Sequence, residues 1–162
     1  SVALIVSDVK TYKELDTLYL LIKWNGESKW NDKAQEIHGL TKEYLEENGV
    51  DEEEAVIQIV EFIMKHFPTT KPITLMGHNV VSFDKPFLRS LLRKFDITLK
   101  FSHRALDSFP VGLLAVNAFD SDDLFKNLGF PPRKEHSALE DIQLTLKAFR
   151  IINKIFRQCI DE

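Results

Sequence analysis

Ile73-Thr74-Leu75-Met76-Gly77-His78-Asn79-Val80-Val81-Ser82-Phe83-Asp84 runs from an apolar stretch through a turn into an amphipathic pattern. Ile73–Gly77 reads as a short strand. The spacing predicts a helix over residues 82–95, with Pro86 tolerated in the first turn, where no intrahelical amide is required. Open α/β sheets place their ligands at such strand-to-helix junctions, beyond the carboxyl ends of strands. Asp84, in the first turn of the helix, is placed either to cap it or to face a ligand. Taken alone, capping is the commoner use of such an aspartate.

Working outward, residues 2–9 and 17–24 are rich in β-branched and large apolar side chains. With the polar segment 10–16 between them they read as an antiparallel hairpin. Ile37-His38-Gly39-Leu40-Thr41 leads into a short helix with Thr41 as its N-cap. Residues 51–67 are the clearest helix, with Val56, Ile59, Val60, Ile63 and Phe67 on one face. Acids fill its first turn and Lys65 and His66 its last, as the macrodipole prefers. A strand over 99–106, a helix from Pro110 and a short helix over 121–128 ended by Gly129 follow. Ser137-Ala138-Leu139-Glu140 is a capping box, and Leu139, Ile142, Leu146, Phe149, Ile152 and Phe156 form the stripe of a final helix. The order predicts one α/β domain over residues 1–162: a mixed sheet with helices packed on it.

Composition narrows the class of function. The 162 residues carry 44% apolar and 28% charged side chains, the balance of an ordinary soluble globular domain. No apolar run approaches the ~20 residues of a membrane span, and no secretory leader is visible. A single cysteine, Cys159, excludes an internal disulfide and a zinc ribbon, and fits a reducing cytoplasmic setting. The net charge of −4 argues against a protein that coats duplex nucleic acid through bulk electrostatics. Charge is uneven, however: residues 1–70 hold 7 Lys/Arg against 14 Asp/Glu, and residues 71–162 hold 14 against 11. Either phosphate contacts lie in the later half, or the two halves carry solvated helix faces that happen to differ. Pro131-Pro132-Arg133-Lys134 reads as a solvated turn or a loop on a substrate backbone.

A second constellation lies at His136-Ser137-Ala138-Leu139-Glu140-Asp141. His136 stands just outside the capped helix, and Asp141 lies one turn inside it. Metal-assisted hydrolysis suits this pair: the aspartate as ligand of a hard divalent cation, the histidine as acceptor of a proton from water. The bland alternative is an aspartate that only favours the helix N-terminus.

Together these segments resemble the DEDD exonuclease superfamily, histidine subgroup, which includes ribonuclease T, oligoribonuclease and bacterial proofreading subunits. Gly77-His78-Asn79 with Phe83-Asp84 resembles its second motif, with one more residue between Asn79 and Phe83 than the commonest form. His136 and Asp141, with Ser137 and Ala138 between them, resemble the third. Ile37-His38-Gly39-Leu40-Thr41 is similar to the family element near the bound 3′ terminus. Ala105-Leu106-Asp107-Ser108 is similar to a strand end between the second and third motifs.

The resemblance implies a ribonuclease H-like fold and hydrolysis of the 3′-terminal phosphodiester of single-stranded DNA or RNA. It also implies two Mg²⁺ or Mn²⁺ ions about 4 Å apart. Asp84 and Asp141 carry over as metal ligands and His136 as general base. His38, Gly39, Leu40, His78, Asn79 and Phe83 carry over as walls of the terminal-nucleotide pocket. Asp107 and Ser137 are further candidates, and a homodimer is compatible with the resemblance.

The family's first motif, D-x-E on the first strand, does not precede the hairpin. The expectation is a longer parent whose upstream strand supplies it, since Asp84 and Asp141 alone offer two dications too little negative charge. The competing reading is the same fold with catalysis lost, kept as a nucleic-acid-binding or protein-interaction module.

Overall fold

The computed structural model describes residues 1–27, 29–67, 71–133 and 136–160. Strands β1 (Val2–Ser7) and β2 (Glu14–Leu20) form the expected antiparallel hairpin, with Val2 opposite Leu20 and Val6 opposite Asp16. The turn comes earlier than the composition suggests. Asp8 Oδ1 accepts from the Lys10 and Thr11 amides and from the Thr11 hydroxyl, so the chain reverses at Asp8 and β2 already starts at Glu14.

Helix α1 (Asp32–His38) is an element that the apolar periodicity does not announce, because none of its residues is buried. Its ends make it: the Asn31 side chain accepts from the Ala34 amide, and Gly39, at φ 71°, returns its own amide to the Gln35 carbonyl. Helix α2 (Lys42–Asn48) is capped by Thr41 as expected, its hydroxyl accepting from the Tyr44 amide.

Helix α3 (Glu52–His66) buries Ala55, Val56, Ile59 and Ile63. Lys65 and His66 in its last turn both bond Asp16 Oδ2, at 2.8 and 2.7 Å, tying the helix to β2. The Lys65 and His66 bonds hold the Asp16 carboxyl down at about 2.

Strand β3 (Ile73–Gly77), helix α4 (Asp84–Arg93) and strand β4 (Phe101–Asp107) form a parallel β-α-β unit, since parallel neighbours need a crossover connection. Ile73 faces Phe101 but Leu75 faces Ala105, so β4 bulges at residues 102–104. Helices α5 (Ser108–Val116), α6 (Ser121–Asn127) and α7 (Ala138–Ile160) complete the described elements. No helix among the described residues is long and apolar enough to cross a membrane.

The mixed α/β architecture is present, with its strands in two ladders, β1–β2 and β3–β4, rather than in one continuous sheet. One core joins them: Leu20, Ala55, Val56, Ile59, Ile63, Ile73, Leu92 and Phe101 form a single buried cluster. A second cluster packs Ala118, Leu124 and Phe125 against Leu144, Ala148 and Ile152 of α7. There α5 and α6 approach so closely that a β-carbon on Gly112 would lie 2.9 Å from Leu124 Cδ1. On its other flank α7 meets β1 and β3, and Phe149 stacks on Tyr12 of the hairpin turn at 5.9 Å. The α7 stripe therefore holds through Ile152, but Phe156, expected on it, is exposed because no core extends that far.

Candidate active site

The β3–α4 and β4–α5 junctions are joined by one carboxylate. Gly77 and Asp107 are register partners at the carboxyl ends of β3 and β4. Asp107 Oδ1 accepts from the Asn79 amide at 2.9 Å and from the Phe109 amide at 3.0 Å. It thus caps α5 and pins the loop that leads to Asp84. Asn79 sits at φ 54°, a left-handed conformation that asparagine tolerates better than most residues. Its carbonyl accepts from the Ser82 and Phe83 amides, so the additional residue between Asn79 and Phe83 is taken up in a tight turn. Val80 tucks beneath it, 5% exposed, where a β-carbon on Gly77 would lie 3.0 Å from Val80 Cβ.

His78 lies at the centre of this region. Its Nδ1 is 3.0 Å from the hydroxyl of the fully buried Ser108, and its ring meets Phe109 edge-on. Burial lowers its pKa, against the opposing pull of Asp107, Asp120 and Asp84, and Arg133 adds to the lowering. Those four charges therefore surround it. The N-cap of α4 is Phe83, whose side chain makes no cap bond. Asp84 is exposed overall, yet desolvation of its carboxyl raises its pKa and nearby Asp107 adds to this, against a bond from its own amide. Two carboxylates so placed attract a cation.

Asp141 stands at the start of α7 with its amide bonded to the Ser137 carbonyl. His136 Nδ1 is 3.8 Å from Asp141 Oδ2, with the imidazole half exposed. The other carboxylate oxygen is held by Arg133, whose Nη1 lies 2.5 Å from Oδ1. The same guanidinium donates to Asp122 and to Ser121 Oγ and stacks 4.9 Å over Phe125. Its side chain is only 5% exposed, and Nε is buried without a partner. Burial opposes this charge, but the bonds to Asp122 and Asp141 outweigh it and raise the guanidinium pKa. Arg133 is therefore no solvated turn residue, and Lys134 beside it lies outside the described residues.

His38 and its neighbours make a separate turn. His38 Nδ1 accepts from the Leu40 amide at 3.0 Å across Gly39, and burial lowers its pKa. None of the bonds described for His38, Gly39 or Leu40 reaches Asp84 or Asp141. Phe83 is 61% exposed at the mouth of the β3–α4 junction. The acidic start of α3 is structural: Asp51 pairs with Lys23, and Glu52 with Lys94. Sequence reasoning missed the roles of Arg133 and Asp122. A basic residue after two prolines gives no sign of the carboxylates that the fold brings to it.

Asp84 and Asp141 are hard oxygen donors of the kind that bind Mg²⁺ or Mn²⁺. The fit is partial, since Arg133 occupies one face of Asp141. Among the described residues, no group of three or more His, Cys, Asp or Glu converges on a metal position.

Comparison with known proteins bears on the same segments. No curated protein matches the chain. Among solved structures, E. coli exonuclease I with a 5cy-dT13 oligonucleotide superposes with a TM-score of 0.72 at 18% identity, covering 98% of this chain and 37% of that one. The zinc-bound form of the E. coli enzyme in complex with single-stranded DNA gives 0.76 at 17% identity, with 98% and 37% coverage. Its complex with a dA16 oligonucleotide gives 0.69 at 16%, covering 90% and 35%. The chain thus spans little more than a third of these relatives, and at such identity the likeness establishes the ribonuclease H-like fold. The model of the RNase T family, described as Exonuclease, matches residues 1–149. That match runs unbroken through both carboxylate-bearing junctions, and on it the chain belongs to the DEDD-type 3′–5′ exonuclease superfamily.

Proposed function

We propose that this domain removes nucleotides from the 3′ ends of single-stranded DNA or RNA by metal-dependent hydrolysis, as a member of the histidine subgroup. The observation that carries this reading is the pairing of His136 with Asp141 at the entrance of α7. Asp84 and Asp141 would hold the divalent cation, which when bound supplies charge neutralisation at the phosphodiester and an acidified water.

The chain's own groups do the rest. His136, half exposed with its Nδ1 3.8 Å from Asp141, stands where it can take a proton from a water beside that carboxylate. His78, its pKa lowered by burial and its Nδ1 beside the Ser108 hydroxyl, offers Nε2 to substrate. Phe83 presents an apolar face to a base, and stacking of this kind is tolerant of sequence.

Arg133 favours one competing reading. A guanidinium seated on Asp141 supplies the positive charge that a metal would, which suits a binding module that has given up catalysis. A 5′-labelled single strand incubated with the chain and Mn²⁺ or Mg²⁺ separates the two. The exonuclease reading expects a ladder of shortened products that vanishes with His136→Ala and Asp141→Ala. Equal turnover in a folded double variant would sink it, and binding without any products would establish the module.

A further inference from the structure

The outer face of α4 carries a feature that the carboxylate site does not use. Leu88, Leu91 and Leu92 turn inward to the core, which leaves Lys85, Arg89 and Arg93 in a row at intervals of four residues. At 1.5 Å rise per residue successive cations stand about 6 Å apart along the axis, a spacing an extended single strand can match with consecutive phosphates.

These charges are not neutralised by the fold. Lys85 Nζ donates 2.9 Å to the uncharged Ser102 carbonyl in the bulge of β4. The Arg89 guanidinium lies 5.8 Å over the Phe101 ring. Among the described residues neither they nor Arg93 pair with a carboxylate. Lys23, Lys65, Lys94 and Arg133 all do. Lys94, bonded to Glu27 and Glu52, closes the row at the far end of the helix.

On the other side of the same face stand Phe83 and Phe87, one turn apart, 61% and 65% exposed, with ring centroids 5.0 Å apart. Two adjacent exposed aromatics are an unfavourable use of surface unless something covers them. Along the cation row, lined by Lys85, Pro86, Arg89, Ser90 and Arg93, runs an open cleft of about 690 Å³; Phe83 and Phe87 stand outside its lining. Phosphate-spaced cations beside stacking rings are the two components of a single-strand groove. A duplex, whose bases are already stacked, fits only the first. The chain is acidic overall, so attraction must be local, and this row is where it is concentrated.

We propose that the outer face of α4 is a track for single-stranded nucleic acid, in which Lys85, Arg89 and Arg93 hold successive phosphates and Phe83 and Phe87 stack bases. Its direction rests on the exonuclease reading: α4 begins at Asp84, so the strand leads away from the 3′ end along the helix. Binding itself requires no catalysis.

The test is fluorescence anisotropy in EDTA with a labelled thymidine strand of about twelve nucleotides, within the site sizes that single-strand grooves cover. A dinucleotide and a duplex of equal length are the comparisons, and circular dichroism confirms folding of each variant. Arg89→Glu with Arg93→Glu is expected to weaken binding of the long strand. It should flatten the dependence of log K on log salt by about 1.4, two phosphate contacts at ~0.7 each. The same variant should bind the dinucleotide as before. Phe87→Ala should cost about tenfold, the order of one base stack, and Lys33→Glu on α1 nothing. Unchanged affinity and salt slope in the double variant, equal binding of the duplex, or no binding by the unmodified chain would overturn the track. Loss of long-strand binding in a chain that never cleaves would instead uphold the track and retire the exonuclease reading.

Discussion

Arg133 and Asp141 are joined by a 2.5 Å hydrogen bond that places a buried guanidinium against the carboxylate proposed above as a metal ligand. The same group reaches Asp122 and Ser121, so it holds the start of α7 to the start of α6.

Removing that guanidinium should have two opposite consequences. Arg133→Met leaves Asp122 and Asp141 without their cation, and urea unfolding should show a loss of about 1–3 kcal/mol, the usual cost of orphaned charged hydrogen bonds. Both carboxylates are partly exposed, which places the expectation toward the lower end. The variant should then recover stability on addition of Mn²⁺ more than the unmodified chain does, because the ion takes the vacated place. Equal responses to Mn²⁺ would show that Arg133 and metal do not compete.

Asp107 acts through its two amide bonds. Asp107→Ala should cost about 1–2 kcal/mol as a lost cap and loosen the loop that carries Asp84. Asp107→Asn, which retains the accepting oxygen, should restore most of the stability and of the activity. If the asparagine variant proves as inactive as alanine, the charge rather than the bond is what matters.

Asp84 is held at some expense to the fold. Its pKa is raised, so its contribution is favourable below the ordinary value near 3.8 and is lost as pH rises through the folded value. Asp84→Asn should therefore raise the melting temperature at neutral pH, with the gain disappearing near pH 3, while nucleolytic activity falls. A melting temperature that drops at pH 7 would contradict this.

Asp16 works in the opposite sense. Lys65 and His66 depress its pKa from 3.8 to about 2, so the stabilisation is complete above the ordinary value and is lost as pH falls from about 4 toward 2. Asp16→Asn should flatten the acid limb of a stability–pH profile across that window and leave the neutral-to-alkaline limb parallel to the parent's. An unchanged acid limb would mean that the pair gains nothing over solvent.

Much of this architecture is legible residue by residue. Ile73–Gly77 is read to its ends because a five-residue apolar run closed by glycine is too short for a helix, and Thr41 because its hydroxyl has a local partner in the Tyr44 amide. What sequence does not show is partnership at a distance. The α1 helix has caps but no buried face, so periodicity is silent. Arg133 meets Asp122 and Asp141 only after α6 and α7 have packed, and Asp107 meets the Asn79 amide only after β3 and β4 have paired. His38 to Leu40 are legible as the approach to the helix that Thr41 caps, but their place relative to the carboxylates is not.

The two carboxylates are mounted differently. Asp141 rides on α7, which is gripped through Leu144, Ala148 and Ile152 on one flank and through Phe149 on the other. Asp84 rides on a turn that opens with a left-handed asparagine and is tied to β4 through Asp107 and through the Lys85 bond to the Ser102 carbonyl. One carboxylate is thus carried by a packed helix and the other by a hydrogen-bonded turn. If the domain acts as proposed, accommodation of differing 3′ ends falls to the β3–α4 turn, and the position of His136 and Asp141 is set by the packed helix.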